Sequence, residues 1–530
     1  MSFTSFSFAI FFLAVTALYY TLAKKKQWQL LLLASYFFYA CADVRYLIFI
    51  VITTVSAYLV TTRFTALREK QSAYLKENPD LSKEEKKKYK ERMKSKSGKW
   101  LLFAVLLNFG ILFAFKYLNF FIDNINAVIG IFSRTASIAT VKLILPLGIS
   151  FYIFQTIGYV ADVYFGKYEA EKNPFKLALF VSFFPQLLQG PIGRYNLMAP
   201  SLFAAHDFDF RNFSFGIERM LWGYFKKIVI ADRLITAVGT ITASPADYPG
   251  VMVICGMLFY AVQLYCDFTG GIDITIGVAE VLGVKLSENF KRPFFSKNVA
   301  EYWRRWHITL GTWFKDYTFY PLSTSKTMMK LTKLTKEKFG NGAAKRVPVY
   351  LSTVILWFAT GAWHGAKWNF IVWGLGNCFV ILVSQELTPL YRKFSEKYPR
   401  LHSSRFWDGV QVIRTNVIMC LLRTFDCYST VGASLGAIGT VFYKCNFASL
   451  TDGPLLKIGM KLSDYIVVVV GVLILFAVSM IGRSGSVREK VVKLPPGVQI
   501  ILYVSLFFSI IVFGAYGVGY DSGQFIYTQF

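Results

Sequence analysis

The stretch VYLSTVILWFATGAWHGAKWNFIVWGLGNCFVILVS, residues 349–384, is almost wholly apolar. It is longer than the ~20 residues that a single membrane helix needs. His364 lies near its middle and is one of only four histidines in the chain. Because an ionisable imidazole at bilayer depth is energetically costly, its presence predicts a functional side chain within the membrane.

The composition of the whole chain is that of a helical membrane protein. Of the 530 residues, 55% are hydrophobic and 18% are aromatic, and apolar runs near bilayer length recur throughout. We therefore expect an all-α polytopic membrane protein with about eleven to thirteen membrane segments. The alternating pattern of a transmembrane barrel is missing. Residues 1–23 lack the charged start and cleavage site of a signal peptide, so we interpret them as a retained first helix.

The basic residues predict how the chain is oriented. Lys and Arg concentrate in short loops between the apolar runs, which explains the formal net charge of +27 without nucleic acid binding. Placing these loops in the cytoplasm predicts that both termini are extracytoplasmic. The polar stretch 61–99 is interpreted as a solvated cytoplasmic helical loop, with docking of an acidic carrier protein as a second interpretation. C-terminal helices are expected over 408–518, followed by an extracytoplasmic tail at 519–530.

Several common sites are not indicated by the sequence. The seven cysteines lack metal-ligand spacing, so we infer neither a structural metal nor a disulfide framework. No Walker loop, dinucleotide-binding glycine motif or helical repeat is evident. We therefore treat residues 1–530 as a single membrane domain.

Residues 285–322 are amphipathic and densely aromatic, and we expect no single uninterrupted span there. Within the segment WRRWH, residues 303–307, the two tryptophans are three apart and should share a helical face. Its two arginines can anchor at lipid headgroups or bind phosphate. An interfacial helix is the alternative explanation, but such a helix does not account for His307.

The residues next to His364 predict a cavity. Gly361 and Gly365 permit a helix break, and Trp363 and Trp368 supply rings that crowd the imidazole. A neutral imidazole is well suited to accept a proton from a hydroxyl group. The alternative is a histidine that hydrogen-bonds a neighbouring helix.

Two further acidic residues lie in an apolar run and need an explanation. Asp267 and Asp273 flank the sequence Thr269–Gly271, which we interpret as a helix break. We expect them to cap broken helices or to pair with Arg292, and we keep proton or ion conduction as the alternative. Supporting roles near the site are considered for Glu301, Gln155 and Asp316.

Several motifs occur in a fixed order between about 140 and 385: PLGISFYIFQ (146–155), QGPI (189–192), YCDFTGGID (265–273), ENF (288–290), WRRWH (303–307) and the segment 361–374. Taken together they resemble the membrane-bound O-acyltransferase (MBOAT) family. The resemblance is greatest to its bacterial branch that O-acetylates alginate, and weaker to the branch that transfers D-alanine to teichoic acid. Gly271 departs from the pattern, since a tyrosine is more usual there.

The resemblance implies an MBOAT fold, in which membrane helices and interfacial or re-entrant helices surround a central tunnel. His364 matches the near-universal catalytic histidine of the family and His307 matches its second histidine. The implied donor is a cytoplasmic thioester, expected to be acetyl-CoA or else an acyl-carrier thioester, with no bound cofactor. The implied acceptor is a polysaccharide outside the bacterial inner membrane, reached with an SGNH-hydrolase-like extracytoplasmic partner.

For the chemistry we expect His364 to act as a general base, and His307, Asn369 or the Trp368 indole to stabilise the oxyanion. Tyr527 in the tail is a candidate acyl relay, and simple packing of the tail is the alternative. The remaining candidates for lining the tunnel or binding the donor are Trp303, Arg304, Arg305, Trp306, Trp363, Asn289 and Gln155.

Three other functions remain as alternatives. D-alanyl transfer to teichoic acid is the nearest, although the chain length and the C-terminal ending favour the acetyl branch. A transporter would be expected to show internal repeats, and none is evident. An assembly subunit without chemistry would tolerate the loss of both histidines.

Overall fold

The computed structural model describes residues 1–133, 136–244 and 247–516. In these ranges the regular structure is helical, and the only β-type pairing is a single bridge between Phe290 and Trp306. The expectation of an all-α fold is therefore confirmed. The chain divides into two compact units, residues 1–216 with 278–287, and residues 217–277 with 288–530.

Twelve α-helices lie between the start of the chain and residue 281 in the described ranges. In chain order they are α1 (Phe6–Thr21), α2 (Gln27–Ala40), α3 (Leu47–Glu77), α4 (Lys83–Lys116), α5 (Leu118–Phe132), α6 (Ile149–Phe165), α7 (Pro174–Ser182), α8 (Phe184–Gln189), α9 (Tyr195–Leu202), α10 (Phe210–Tyr224), α11 (Asp232–Ala243) and α12 (Gly250–Val281). A π-helix, Phe225–Ala231, joins α10 to α11.

The remaining helices belong to the second unit. They are α13 (Val299–Arg305), α14 (Ile308–Phe314), α15 (Tyr320–Ser323), α16 (Lys326–His364), α17 (Trp368–Glu386), α18 (Thr388–Lys397), α19 (Pro399–His402), α20 (Arg405–Cys427), α21 (Val431–Tyr443), α22 (Leu462–Ile481), α23 (Val487–Val491) and α24 (Pro496–Phe513). Gly340 has non-helical angles, φ 80° and ψ 179°, so α16 consists of two segments joined at a bend.

Six helices in the described ranges are long and apolar enough to cross a membrane: Val44–Glu77, Lys83–Lys116, Gly250–Val281, Trp368–Glu386, Leu462–Ser484 and Pro496–Phe513. Shorter apolar helices are Phe6–Thr21, Leu118–Phe132 and Val431–Tyr443. These helices identify the chain as a multi-pass membrane protein.

Two apolar runs, residues 176–190 and 216–238, do not form single long helices. Residues 176–190 divide into α7 and α8, because Pro185 lies in the first turn of α8 and cannot continue the preceding helix. Residues 216–238 divide at the π-helix between α10 and α11. The long spans are therefore fewer than the apolar runs suggested.

The polar stretch 61–99 is helical, as predicted. It consists of the end of α3, a turn, and the first half of α4. Ser82 and Glu85 form a reciprocal capping box that fixes the start of α4. The rings of Tyr74 and Tyr89 stack across the hairpin with centroids 4.0 Å apart.

A buried charge cluster in the second unit connects the π-helix to α12. The Lys227 ammonium lies 2.7 Å from a carboxylate oxygen of Asp232 and 2.7 Å from one of Asp267, and all three side chains are buried. A buried charge is tolerated only when it is paired, so these contacts determine the position of the π-helix against α12.

The second acidic residue of α12, Asp273, pairs with Arg219 at 3.0 Å and with Lys226 at 2.5 Å. The expected pairing with Arg292 is therefore wrong.

The expected helix break at Thr269–Gly271 is also wrong, because α12 is continuous from Gly250 to Val281. The glycine there serves a close helix contact instead. A Cβ atom on Gly270 would lie 2.8 Å from the carbonyl oxygen of Gly223, and one on Gly223 would lie 2.6 Å from that of Gly270. Neither position accommodates a side chain without moving the backbone.

All seven cysteines lie in the described part of the chain, and each is a free thiol. Cys41, at the end of α2, is exposed. The other six are buried or half-buried.

We expect Lys227→Met to lower the free energy of unfolding by about 3–5 kcal/mol, because it removes the buried ammonium that contacts both the Asp232 and the Asp267 carboxylate. Lys393→Met removes the same charge at an exposed position of α18 and should change stability by less than about 0.5 kcal/mol. Thermal unfolding of the detergent-solubilised protein, followed by tryptophan fluorescence, measures both. Equal unfolding temperatures for the two variants would contradict the structural role of the cluster.

Candidate active site

His364 lies at the break between two helices. α16 ends at His364, Gly365 is extended with φ −173° and ψ 151°, and α17 begins at Trp368. The long apolar stretch 349–384 is thus a helical hairpin with the imidazole at its turn. The break that the glycines predicted is present.

Glycines let the two helices of this hairpin approach closely. A Cβ on Gly361 would lie 2.5 Å from the carbonyl oxygen of Phe370, and one on Gly374 would overlap the carbonyl oxygen of Trp357. A Cβ on Gly365 would overlap the Phe370 ring. Since no larger residue fits at these contacts, they fix the backbone on both sides of His364.

Indole rings surround the His364 imidazole. The centroid of Trp373 lies 4.5 Å from that of His364, and the centroid of Trp363 lies 5.0 Å away, both with edge-on geometry. The imidazole itself is only 6% exposed. This environment is largely closed to water.

His307 is brought to the same place from a different part of the second unit. Its ring centroid lies 5.7 Å from that of Trp363, so both imidazoles contact one indole. The ring of Phe268 in α12 also packs against His307, with the two ring centroids 4.9 Å apart. The two histidines predicted from the sequence are therefore linked through one shared aromatic side chain, Trp363.

The backbone at His307 is strained. It has φ 48° and ψ 53°, the left-handed region that residues with side chains rarely adopt, and it precedes the first residue of α14. Two backbone hydrogen bonds clamp the segment on either side: Lys291 N–H donates to Arg305 O at 2.9 Å, and Ile308 N–H donates to Asn289 O at 3.0 Å. Strain of this kind persists only where the surroundings impose it and is concentrated at functional sites.

The side chain of Asn289 sets the protonation of His307. The Asn289 Oδ1 atom accepts the backbone N–H of Thr309 at 3.0 Å and the Thr309 hydroxyl at 2.9 Å, and it lies 3.2 Å from His307 Nδ1. A backbone N–H can only donate, so the shared atom must be the amide oxygen. His307 Nδ1 must then carry a proton, which leaves Nε2 as the unprotonated nitrogen.

Burial lowers the pKa of His307 to about 3, because the charged imidazolium loses its hydration. The ring is therefore neutral at physiological pH. A neutral imidazole with Nδ1 protonated has one lone pair, on Nε2, that can accept a hydrogen bond or a proton.

The two tryptophans of residues 303–307 do not share a helical face, contrary to the sequence-based expectation. The reason is that α13 ends at Arg305 and Trp306 is extended. Trp303 donates its indole N–H to Asn377 Oδ1 at 2.9 Å. The Trp306 ring instead packs beneath the Arg423 guanidinium, 4.3 Å from its centroid.

The remaining predicted residues take varied positions. Arg304 is exposed, and Arg305 pairs with Glu301 at 2.5 Å. Trp368 is 56% exposed. Asn369 uses its amide nitrogen to donate to the carbonyl oxygens of Phe425 and Tyr428, each at 2.9 Å, and so attaches the start of α17 to the end of α20.

Gln155 lies in the first unit, where it accepts the N–H of Gly193 at 3.0 Å and donates to Phe180 O at 2.5 Å. Asp316 lies in a short π-helix, Lys315–Phe319. Tyr527 lies outside the described residues. In the described ranges no group of three or more His, Cys, Asp or Glu side chains is arranged to hold a metal ion.

Sequence reasoning missed two residues of this site. Trp373 is almost fully buried beside His364, and its indole N–H has no acceptor among the described residues. Arg423 lies over the Trp306 ring and donates to the Tyr302 hydroxyl at 3.0 Å. Trp373 lies nine residues beyond His364 on the next helix, and its approach to the imidazole depends on the tight hairpin, which the sequence alone does not specify.

We expect ¹⁵N nuclear magnetic resonance of histidine-labelled protein to show His307 protonated at Nδ1 and unprotonated at Nε2 near neutral pH. Because its pKa is lowered, this form should persist as the pH falls to about 5, where an ordinary histidine is mostly charged. The chain has only four histidines, so a His307→Gln variant suffices for assignment. An imidazolium signal, or a proton on Nε2, would contradict the proposed hydrogen-bond arrangement.

Comparison with known proteins gives a consistent result. The profile of the membrane-bound O-acyltransferase family matches residues 170–335. A probable alginate O-acetylase of Pseudomonas putida is 34% identical over 389 residues, which are 73% of this chain and 71% of that protein. A peptidoglycan O-acetyltransferase of Helicobacter pylori is 32% identical over 405 residues, covering 70% of this chain and 67% of that protein.

The probable alginate O-acetylase of Pseudomonas syringae pv. tomato is 34% identical over 376 residues, which are 71% of this chain and 64% of that protein. The chain thus spans just under two thirds of this relative's length. The identity to the Pseudomonas putida relative exceeds 30%, and the match covers more than two thirds of that protein. The chain therefore belongs to the membrane-bound O-acyltransferase family.

Proposed function

We propose that the chain transfers an acyl group from a thioester to a hydroxyl group at the site formed by His307 and His364. The observation that carries this proposal is the contact of both buried imidazoles with the single indole of Trp363. Two histidines of this kind offer a base and a hydrogen-bond acceptor in a place with little access to water. Membership of the family supports the same chemistry.

In the proposed reaction His364 acts as the general base. Its imidazole takes the proton of the acceptor hydroxyl while the hydroxyl oxygen attacks the thioester carbonyl carbon. A tetrahedral intermediate with a negative oxygen forms. When it collapses, the C–S bond breaks and the leaving thiolate takes the proton from the His364 imidazolium, which restores the neutral base.

His307 takes a different part in this proposal. Because Nδ1 donates to Asn289, the neutral ring has no N–H left to stabilise an oxyanion, but its Nε2 can accept a hydrogen bond. We assign it to accepting a hydrogen bond from a second, non-reacting hydroxyl group of the acceptor, which orients the reacting hydroxyl toward His364 and the thioester carbonyl. Asn289 is then a positioning residue that acts through His307.

The oxyanion needs a hydrogen-bond donor. Two candidates predicted from the sequence, Asn369 and Trp368, are poorly placed for this role. Asn369 donates its amide hydrogens to two backbone carbonyls, and Trp368 is more than half exposed. The buried indole N–H of Trp373, next to His364 and without an acceptor among the described residues, is the better candidate. A preorganised donor in a dry site stabilises developing negative charge most strongly.

The substrates follow from the relatives and not from the site itself. The alginate and peptidoglycan O-acetylating relatives favour an acetyl group as cargo and a polysaccharide outside the membrane as acceptor. We propose a cytoplasmic thioester, acetyl-CoA or an acetylated carrier, as donor. An SGNH-hydrolase-like partner on the far side would complete the transfer, and D-alanyl transfer is the nearest alternative.

The proposed direction of transfer needs a path across the membrane beside His364, with the basic loops on the donor side. Under this orientation both termini are extracytoplasmic. Tyr527 in the C-terminal tail could then receive the acyl group as a phenyl ester and pass it to the partner. This relay is proposed on the sequence alone.

We expect His364→Ala to lower the rate of acetyl transfer by about 10²–10⁴-fold, because the acceptor hydroxyl loses its base. The measurement is release of free CoA thiol from acetyl-CoA by the purified protein, with short mannuronate or peptidoglycan oligosaccharides as acceptors. His402→Ala, at an exposed position of α19, is the matched control and should keep full activity. Near-normal transfer by a well-folded His364→Ala protein would refute the proposal and favour a transporter or an assembly subunit.

We expect Trp373→Phe to lower kcat by about 10²–10³-fold with a much smaller change in KM, because the lost N–H acts on the transition state. Trp407→Phe is the matched control, since its indole N–H is likewise buried without an acceptor among the described residues, but it packs on Phe394 of α18. A rise in KM with unchanged kcat would assign Trp373 to packing only.

A further inference from the structure

A large cavity lies within the second unit. Its volume is about 1090 Å³. Apolar side chains of α22 and α24 form one wall, among them Leu475, Val478, Leu502 and Leu506. Phe290 also lines the cavity. Its ring packs against Phe268, which in turn contacts His307.

The apolar wall belongs to two membrane-spanning helices with little protein cover. In the most apolar 18 residues of Leu462–Ser484 only 11% are buried by the rest of the protein, and in those of Pro496–Phe513 only 6% are. These two helices therefore have most of their surface available to acyl chains. A cavity enclosed by such helices is filled most favourably by another apolar chain.

The polar lining of the cavity has an excess of positive charge. Lys291, Arg292 and Arg483 line it, and no carboxylate among the described residues forms an ion pair with any of them. Three acidic residues line the cavity, and each has another partner: Asp273 pairs with Arg219 and Lys226, and Glu288 pairs with Arg219. Glu218 hydrogen-bonds the Tyr503 side chain. Arg305, which also lines the cavity, pairs with Glu301.

Arg292 is held in an unfavourable conformation. Its φ of 52° makes it, with His307, one of two non-glycine residues in the described ranges that have positive φ, although it precedes Pro293. Its guanidinium lies 4.4 Å from the Phe295 ring centroid and donates to Ser479 Oγ of α22 at 3.2 Å. Burial, Arg305 and Arg483 all lower its pKa, so like charges are gathered there.

We propose that this cavity binds an anionic phospholipid, with its phosphate between Arg292, Arg483 and Lys291 and an acyl chain between α22 and α24. Guanidinium groups bind phosphate oxygens in bidentate geometry, and a bound phosphate removes the repulsion between these cations. Arg483 directly follows the apolar part of α22, at the level where lipid headgroups meet the membrane helices.

A phosphate could also come from a soluble source, namely the nucleotide part of CoA. The lipid is favoured because the cavity wall is apolar and is formed by the two helices with the least protein cover. The proposal goes beyond acyl transfer, and its test needs no turnover.

The test is native mass spectrometry of the purified protein in detergent, titrated with phosphatidylglycerol. The variant Arg292→Gln/Arg483→Gln should raise the apparent Kd for the first bound lipid by about tenfold or more, since each charge-assisted contact is a strong one. The matched control, Arg392→Gln/Arg400→Gln, removes two exposed arginines of α18 and α19 and should bind as the wild type does. Equal affinity in all three proteins would overturn the proposal.

Two further arms separate the phosphate sources and guard against a misfolded variant. Added CoA at about 1 mM should leave the bound phosphatidylglycerol in place, and its displacement would assign the cavity to the thioester donor. In the wild type, nanodiscs containing phosphatidylglycerol should raise the unfolding temperature above that in phosphatidylcholine alone, and Leu506→Trp, which fills the apolar wall, should remove that difference. No difference in the wild type would overturn the proposal whether or not the arginine variant folds.

Discussion

The amide oxygen of Asn289 is the acceptor on which the candidate active site depends. It receives the backbone N–H and the hydroxyl of Thr309 as well as the Nδ1 proton of His307. A buried acceptor with three donors imposes one arrangement, because losing any of them leaves a polar group unsatisfied in a dry place. The tautomer of His307 follows from this contact, whereas its neutral charge follows from burial and its strained backbone is held by the flanking backbone hydrogen bonds.

The tight hairpin of α16 and α17 provides the other half of the site. Glycine at positions 361, 365 and 374 lets the backbones meet, which brings Trp373 beside His364. The indoles then form an environment in which an imidazole is shielded from water. A thioester is prone to hydrolysis, so a catalyst for transfer to another hydroxyl benefits from such shielding.

Much of this site is predictable from residue type and spacing, and the rest depends on contacts between distant segments. His364 stands out because an imidazole in an apolar run is costly, and the flanking glycines correctly predict the helix break. The same logic fails at Gly270, because a glycine permits either a break or a close helix contact, and only the partner at Gly223 distinguishes them.

Local spacing also misleads where a helix is short. The three-residue spacing of Trp303 and Trp306 suggested one face, but α13 ends between them, and the bridge of Trp306 to Phe290 determines its direction. Asp273 likewise found Arg219 and Lys226 as partners, which lie about fifty positions earlier in the chain. The exposed thiol of Cys41, with the other six cysteines at least half-buried, has a practical consequence: the unaltered protein carries its own reporter of sidedness, since a membrane-impermeant maleimide would modify it from one face of a sealed vesicle only.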